Sequence, residues 1–143
     1  MSLDYHPRPG DILLCHFPEC LQVPEMVKAR PILVLSSPLP GRRELLCIVP
    51  LSTTEPAPVR PFHLEIPIAR MPRRLQSKAA RVWAKCDMLY TFSLVRLDRF
   101  KAGRDRSTGR RMFEQGRITP DELRDVRKRA AGVLGFMLQN ESP

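Results

Sequence analysis

Acidic residues are scarce in this chain: 15 Asp and Glu stand against 24 Lys and Arg in 143 residues, leaving a formal charge of +9. That balance points to a polyanionic partner, nucleic acid or an anionic surface, with a merely soluble basic exterior as the plain alternative. Long apolar runs are also missing. No stretch approaches the roughly 18 residues a membrane span requires, and the opening MSLDYHPRPGD has no cationic segment leading into an apolar leader core. A cytoplasmic protein with no membrane partner is the expectation. The four cysteines (Cys15, Cys20, Cys47, Cys86) form no C-x-x-C pair and have no matching histidine set, which argues against a disulfide framework or a zinc site. No metal and no cofactor is expected. Cys15, Cys47 and Cys86 lie in apolar surroundings and read as small core fillers. Only one convincing helix is visible, so a helix-turn-helix regulator is a poor reading.

What the chain does have is a series of short strands cut by proline. Fifteen prolines, about twice the usual share, mark the breaks between DILLCHF (11–17), PILVLSS (31–37), LLCIVPL (45–51), FHLEI (62–66) and RVWAKC (81–86). No helical period long enough for a crossover separates them, so neighbouring strands should pair antiparallel in a small barrel or sandwich. SPLPGRRE (37–44) reads as a hairpin connection with Pro40-Gly41 at its tip. The longer link PECLQVPEMVKA (18–29) has the character of a functional loop. MPRRLQSK (71–78) and KAGRDRSTGRR (101–111) read as basic exposed links, each equally a solvated loop or a nucleic-acid contact.

The tail supplies the helix. Thr119-Pro120-Asp121-Glu122 offers an N-cap, a proline at the first position and a glutamate at the third. Leu123, Val126, Ala130, Val133, Leu134 and Met137 then form one apolar stripe that should pack on the barrel. Arg124, Arg127, Lys128 and Arg129 on the other face read as a solvated surface. The expected organisation is one domain over 1–143: barrel about 8–100, basic link about 101–118, and helix about 119–139.

Three places set polar groups where strands end: Arg30 before Pro31, Ser52-Thr53-Thr54 after VPL, and Lys85 and Asp87 around Cys86. In an antiparallel pair the start of one strand and the end of its partner share a rim, so Arg30 and Ser52 can converge, and Asp87 could reach them from another strand. A guanidinium, hydroxyls, a carboxylate and an ammonium are the parts needed to cleave RNA without a metal. A base takes the 2′-hydroxyl proton, that oxygen attacks phosphorus, and fixed donors stabilise the growing phosphoryl charge. Arg30 suits the donor role because its planar fork matches two phosphate oxygens. Asp87 is the plausible base among these clusters, against the plainer reading that it caps a turn, and Lys85 reads equally as an outward-facing strand residue.

In this order RPGDILLCHF, PEMVKARPILVLSS, CIVPLSTT, WAKCDMLYTFSLVRL and RITPDELRDVRKRAAGVLGF resemble the successive elements of the PemK/MazF family of toxin–antitoxin toxins. The resemblance implies a mainly β fold, an SH3-like antiparallel β-barrel with a C-terminal α-helix, acting as a homodimer. It further implies a sequence-selective endoribonuclease on single-stranded RNA, held inactive by a cognate antitoxin whose acidic segment covers the RNA groove. By motif, Arg30 and Ser52 match the family's catalytic arginine and hydroxyl. Asp87 matches an aspartate proposed as general base, and Lys85 falls where some members have an arginine proposed as general acid. Glu25 matches a loop acid near the site; with Lys28, Thr53 and Lys85 it completes the expected RNA contacts. Two positions depart from the pattern, with Lys85 compact where arginine would be bidentate and Pro24 in place of a histidine. A catalytically silent SH3-like module that binds nucleic acid or protein is the alternative reading.

Overall fold

The computed structural model describes residues 3, 5–18 and 29–136; Cys20, Pro24, Glu25, Lys28 and Met137 lie outside the described residues. Each expected apolar run forms a strand: β1 (Asp11–His16), β2 (Ala29–Val34), β3 (Leu45–Ser52) and β4 (His63–Ile66), then the short helix α1 (Arg73–Gln76) and β5 (Val82–Lys85). β6 (Tyr90–Ser93), β7 (Leu97–Asp98), β8 (Phe100–Arg104), β9 (Arg111–Glu114), β10 (Gly116–Arg117) and α2 (Pro120–Val133) follow. Among the described residues every strand pairing is antiparallel. The main sheet runs β10-β1-β2-β3-β5-β4, with β6 also on β3 and β7 also on β1, and it curls as a half-barrel.

Alternation along these strands builds two apolar layers. Leu33, Val49, Leu51, Val82 and Ala84 face α2, whose Leu123, Val126 and Ala130 cover them. Burying a side chain such as Val126 completely stabilises the fold by roughly 1.5–3 kcal/mol. Leu13, Cys15, Ile32, Val34 and Ile48 point to the other face, where Phe17, Tyr90 and Phe92 form an aromatic cluster. Cys15 and Cys86 are buried as expected, and burial pushes both thiols up to about 12, so they stay protonated. Cys47 is half-buried, its sulfur 3.5 Å from the Thr91 hydroxyl.

The hairpin between β2 and β3 turns as the Pro40-Gly41 pair suggests. The Arg42 N–H donates to the Leu39 carbonyl at 2.9 Å, and Gly41 takes φ of 74°, which makes a type II turn with proline and glycine in their preferred places. At the start of β1, the buried Asp11 carboxylate accepts the Arg8 N–H at 2.8 Å and the Arg117 guanidinium at 2.5 Å. It ties the first strand to the last, which gives the aspartate of the opening G-D pair a structural task.

Four expectations need correction. KAGRDRSTGRR is not a loop but most of the β8–β9 hairpin. Phe100 is buried beneath it, the Arg99 guanidinium lies 3.7 Å above the Phe113 ring, and Asp105 Oδ1 closes the turn by accepting from Ser107 and Thr108 N–H groups. MPRRLQSK is not wholly an exposed link, because Met71 is buried and residues 73–76 form α1. The C-terminal helix does begin with the reciprocal Thr119–Glu122 capping box, but it stops at Val133 rather than 139. Gly135 adopts φ of 82° and the Phe136 N–H donates to the Ala131 carbonyl at 2.9 Å, the helix-ending pattern that glycine permits. Val133 and Leu134 therefore point into solvent instead of extending the stripe. Finally, the basic face of α2 is partly structural. Arg127 donates twice to the Leu35 carbonyl (2.9 and 2.6 Å), and Arg129 donates to the carbonyls of Pro61 and His63 at 2.7 and 3.0 Å. Leu35 and Pro61 lie in connections beside strand ends and His63 opens the edge strand β4, places where a carbonyl can lack a ladder partner.

Candidate active site

The β2–β3 register pairs Ile32 with Pro50, Leu33 with Val49 and Val34 with Ile48. Carried on by two residues, it sets Arg30 across from Ser52. Both fall on the sheet face turned away from α2, because they alternate in step with Ile32 and Val34. β1 brings Cys15 opposite Arg30, and β5 brings Trp83 opposite Ser52. Lys85 lies two residues further along β5, on the same face as Trp83. Arg30 and Thr53 are exposed, while Ser52 and Lys85 are half-buried. The Ser52 hydroxyl accepts the Thr54 N–H at 3.2 Å, and among the described residues its own proton has only the Thr54 carbonyl at 3.5 Å, too long to hold it firmly. That proton can rotate toward a bound oxygen.

Asp87 is placed differently. β5 runs antiparallel to β3, so each residue after Trp83 steps back from the Ser52 end. Asp87, four residues on, lies past the end of β5, beyond Lys85 on the side away from Ser52. It is exposed in the turn closed by the Met88 N–H on the Lys85 carbonyl (3.1 Å), after which the chain rejoins β3 as β6. Its neighbour is His63, which pairs with Lys85 across β4 and β5. Burial lowers the His63 pKa from its ordinary 6.5, the Asp87 charge opposes that shift, and Lys85 and Arg60 add to it. His63 Nδ1 accepts the Arg60 N–H at 2.9 Å, so a neutral ring carries its proton on Nε2. The structure thus brings Arg30, Ser52 and Lys85 onto one face and sets Asp87 beside His63 further along it.

Sequence reasoning missed part of this surface. Arg81 forks onto Glu65 with two 2.8 Å bonds, reaches Glu55 at 3.0 Å, and lies 4.9 Å from the centre of the Trp83 ring. The fork holds Glu65 below the usual carboxylate range and raises Arg81 further. The Trp83 side chain is buried, and its indole N–H has no acceptor among the described residues. Alternation in VWAK could have shown that Trp83 and Lys85 share a face. The partners His63 and Glu65 could not be read, because the β4–β5 register depends on the long connection between them. Among the described residues no group of three His, Cys, Asp or Glu could hold a metal ion, and no helix is long and apolar enough to cross a membrane.

These features define a class: a curled antiparallel sheet backed by one C-terminal helix, with an arginine at the start of β2 and a serine at the end of its neighbour β3. The family model for the PemK-like, MazF-like toxin of type II toxin-antitoxin systems matches residues 8–134, and the chain belongs to that family. No match was found among curated protein sequences. Among solved structures the chain is similar to MazF (Form-I) from Deinococcus radiodurans, with 22% identity, a TM-score of 0.60, and coverage of 93% of this chain and 100% of that one. It is also similar to an endoribonuclease in complex with its cognate antitoxin from a mycobacterial species (17% identity, TM-score 0.57, 96% and 99% covered). A third is the Mycobacterium tuberculosis toxin MazF-mt6 (16% identity, TM-score 0.55, 92% and 100% covered). At these identities the likeness establishes a shared fold.

Proposed function

We propose that this toxin is a sequence-selective endoribonuclease that cuts single-stranded RNA without a metal, by attack of the 2′-hydroxyl on the neighbouring phosphorus. The observation that supports the reading is the β2–β3 register, paired as far as Ile32 and Pro50, whose continuation by two residues would bring Arg30 level with Ser52. A phosphate lodged between them receives two N–H donors from the guanidinium fork and a rotatable O–H from Ser52, both on strand ends that fix their geometry. These donors act where negative charge grows as the phosphorus becomes five-coordinate. The 2′-hydroxyl proton is assigned to Asp87, which requires RNA binding to draw the turn after β5 toward the Arg30–Ser52 end, and Lys85 serves the departing oxygen or the adjoining phosphate. Thr53 serves as an RNA contact, and the same role is assigned to Glu25 and Lys28, which lie outside the described residues. In this reading the protein works in the cytoplasm as a homodimer. As in the mycobacterial relative, it is paired with a cognate antitoxin, whose acidic segment the basic face would attract.

The test is cleavage of a long RNA by purified protein in EDTA. Cleavage is expected, and Arg30→Ala is expected to abolish it with the circular dichroism spectrum unchanged. A fully active Arg30→Ala variant would remove this residue from the mechanism. The position of Asp87, displaced from the Arg30–Ser52 pair, favours a second reading in which the chain binds RNA without cutting it. A mobility shift of labelled single-stranded RNA with no fragments would establish that reading.

A further inference from the structure

A dense run of basic residues lies outside the strand ends that carry Arg30 and Ser52. Residues 99–117 hold seven basic side chains (Arg99, Lys101, Arg104, Arg106, Arg110, Arg111, Arg117) and only two acids, Asp105 and Glu114. Both acids have structural employment. Asp105 closes the hairpin turn, and Glu114 accepts the Arg74 N–H at 2.9 Å. Arg74 also donates to the Lys101 carbonyl at 2.8 Å, which fixes α1 against the β8–β9 hairpin. Between these elements runs a groove of about 520 Å³, lined by Arg73, Arg74, Ala102, Gly103, Arg111 and Glu114. It shares Arg73 and Glu114 with a second hollow of about 460 Å³ that adds Arg70 and Arg117.

Arg70 and Arg117 are matched by Glu122 and Asp11, but Arg73 and Arg111 are exposed and make no ion pair among the described residues. A bulge between Lys101 and Arg104 sets Gly103 at the groove wall with nothing within 4 Å of where a side chain would start, so the backbone there is open to a ligand. The lining holds no aromatic ring and no aliphatic residue larger than Ala102. A docked protein segment gains most of its affinity from a few buried apolar or aromatic anchors, and this groove has no pocket for them. A chain of phosphates needs none, because spaced guanidinium forks and an open path suffice.

We propose that the channel between α1 and the β8–β9 hairpin holds the phosphodiester backbone of single-stranded RNA outside the cleavage site, so that long substrates bind in two places. This rests on the nuclease reading above. The channel adjoins β10, which pairs with Asp11 and Ile12, whereas Arg30 pairs with Cys15. The two sites are therefore about four residues, or about 13 Å, apart along β1 alone. An RNA must extend beyond the cleaved motif to reach both.

The test compares wild type with R73E/R111E. Fluorescence anisotropy would follow a labelled 40-nucleotide single-stranded RNA across a salt series. Cleavage would be followed on a long RNA and on a short oligonucleotide limited to a cleavage motif mapped from it. The variant is expected to bind the 40-mer at least tenfold more weakly, and its log K against log salt should lose about 1.4 of slope, or two phosphates at about 0.7 each. It should show a raised KM on long RNA and unchanged kcat/KM on the short one. R73Q/R111Q should lie between the two and guards against a folding defect in the charge reversal. Unchanged affinity and slope would overturn the channel while leaving the nuclease standing. Channel-dependent binding without any cutting would do the reverse. Normal RNA binding with lost neutralisation by the antitoxin would assign the channel to that partner and overturn the proposal.

Discussion

Replacing Gly116 by alanine adds one methyl group, and the structure says what that methyl would meet. A Cβ at this position would lie 2.6 Å from the Arg70 carbonyl oxygen, 2.9 Å from the Pro72 ring and 3.1 Å from the Ile12 Cβ. The first is backbone, the second a closed ring, and the third belongs to a fully buried side chain on β1. None can swing aside by changing rotamer, so β10 or the 68–76 segment must move. Overpacking of this kind costs about 1–3 kcal/mol, and the rigid neighbours place Gly116→Ala near the upper end. At about 3 °C per kcal/mol for a chain of this size, Tm should fall by roughly 9 °C.

The same substitution at Gly132 should act in the opposite direction. That residue is exposed near the end of α2 with nothing within 4 Å of a Cβ. Alanine there removes a helix-weakening glycine and should add about 0.5–1 kcal/mol. Urea denaturation followed by far-UV circular dichroism would measure both variants in one buffer. A Gly116→Ala protein within 0.5 kcal/mol of wild type would refute the steric argument, as would a Gly132→Ala protein less stable than Gly116→Ala.

Two further predictions concern titration. Burial raises the Glu122 pKa, but bonds from Arg70 and the Thr119 N–H outweigh it and hold the carboxyl below its ordinary 4.5. The stabilisation it supplies is thus present above about 4.5 and lost as pH falls through the lower folded value. The difference in unfolding free energy between wild type and Glu122→Gln should therefore shrink between pH 6 and pH 3, and a constant difference would contradict the assignment. For His63, an NMR titration should give a midpoint below 6.5, lowered further by Asp87→Asn and raised by Lys85→Met. The depressed value means that its contribution to stability is present above 6.5 and declines as pH falls through the folded pKa. An unmoved midpoint in Asp87→Asn would take Asp87 out of the neighbourhood of His63.

The strands were legible because short, nearly continuous apolar runs bounded by proline and glycine mark buried strands, and DILLCHF and LLCIVPL are such runs. The capping box of α2 was legible because Thr119 and Glu122 satisfy each other locally. Its C-terminus was not, since the stripe of Val133 and Leu134 outweighed the single Gly135 that stops the helix. The β8–β9 hairpin escaped notice because arginine and glycine carry little strand signal. Its order comes from tertiary contacts, Phe100 in the core and Arg99 on Phe113, that no local window contains. The antiparallel pairing of β2 with β3 followed from hairpin logic alone. The position of Asp87 and the company of His63, Glu65 and Arg81 depended on the β3–β5–β4 order, where β5 reaches β3 across a long connection.

The tight turn at Leu39–Arg42 has a consequence for length variants. One residue inserted into or removed from that loop slides β2 against β3 by a single place, so that Arg30 would meet Leu51 or Thr53 in place of Ser52. The same slip would turn Leu33 or Val49 and Leu51 away from α2, so misalignment of the reactive pair and collapse of the interior arrive together. Natural or engineered diversity in this hairpin should therefore take the form of substitutions, with indels selected out by misfolding before chemistry is ever consulted.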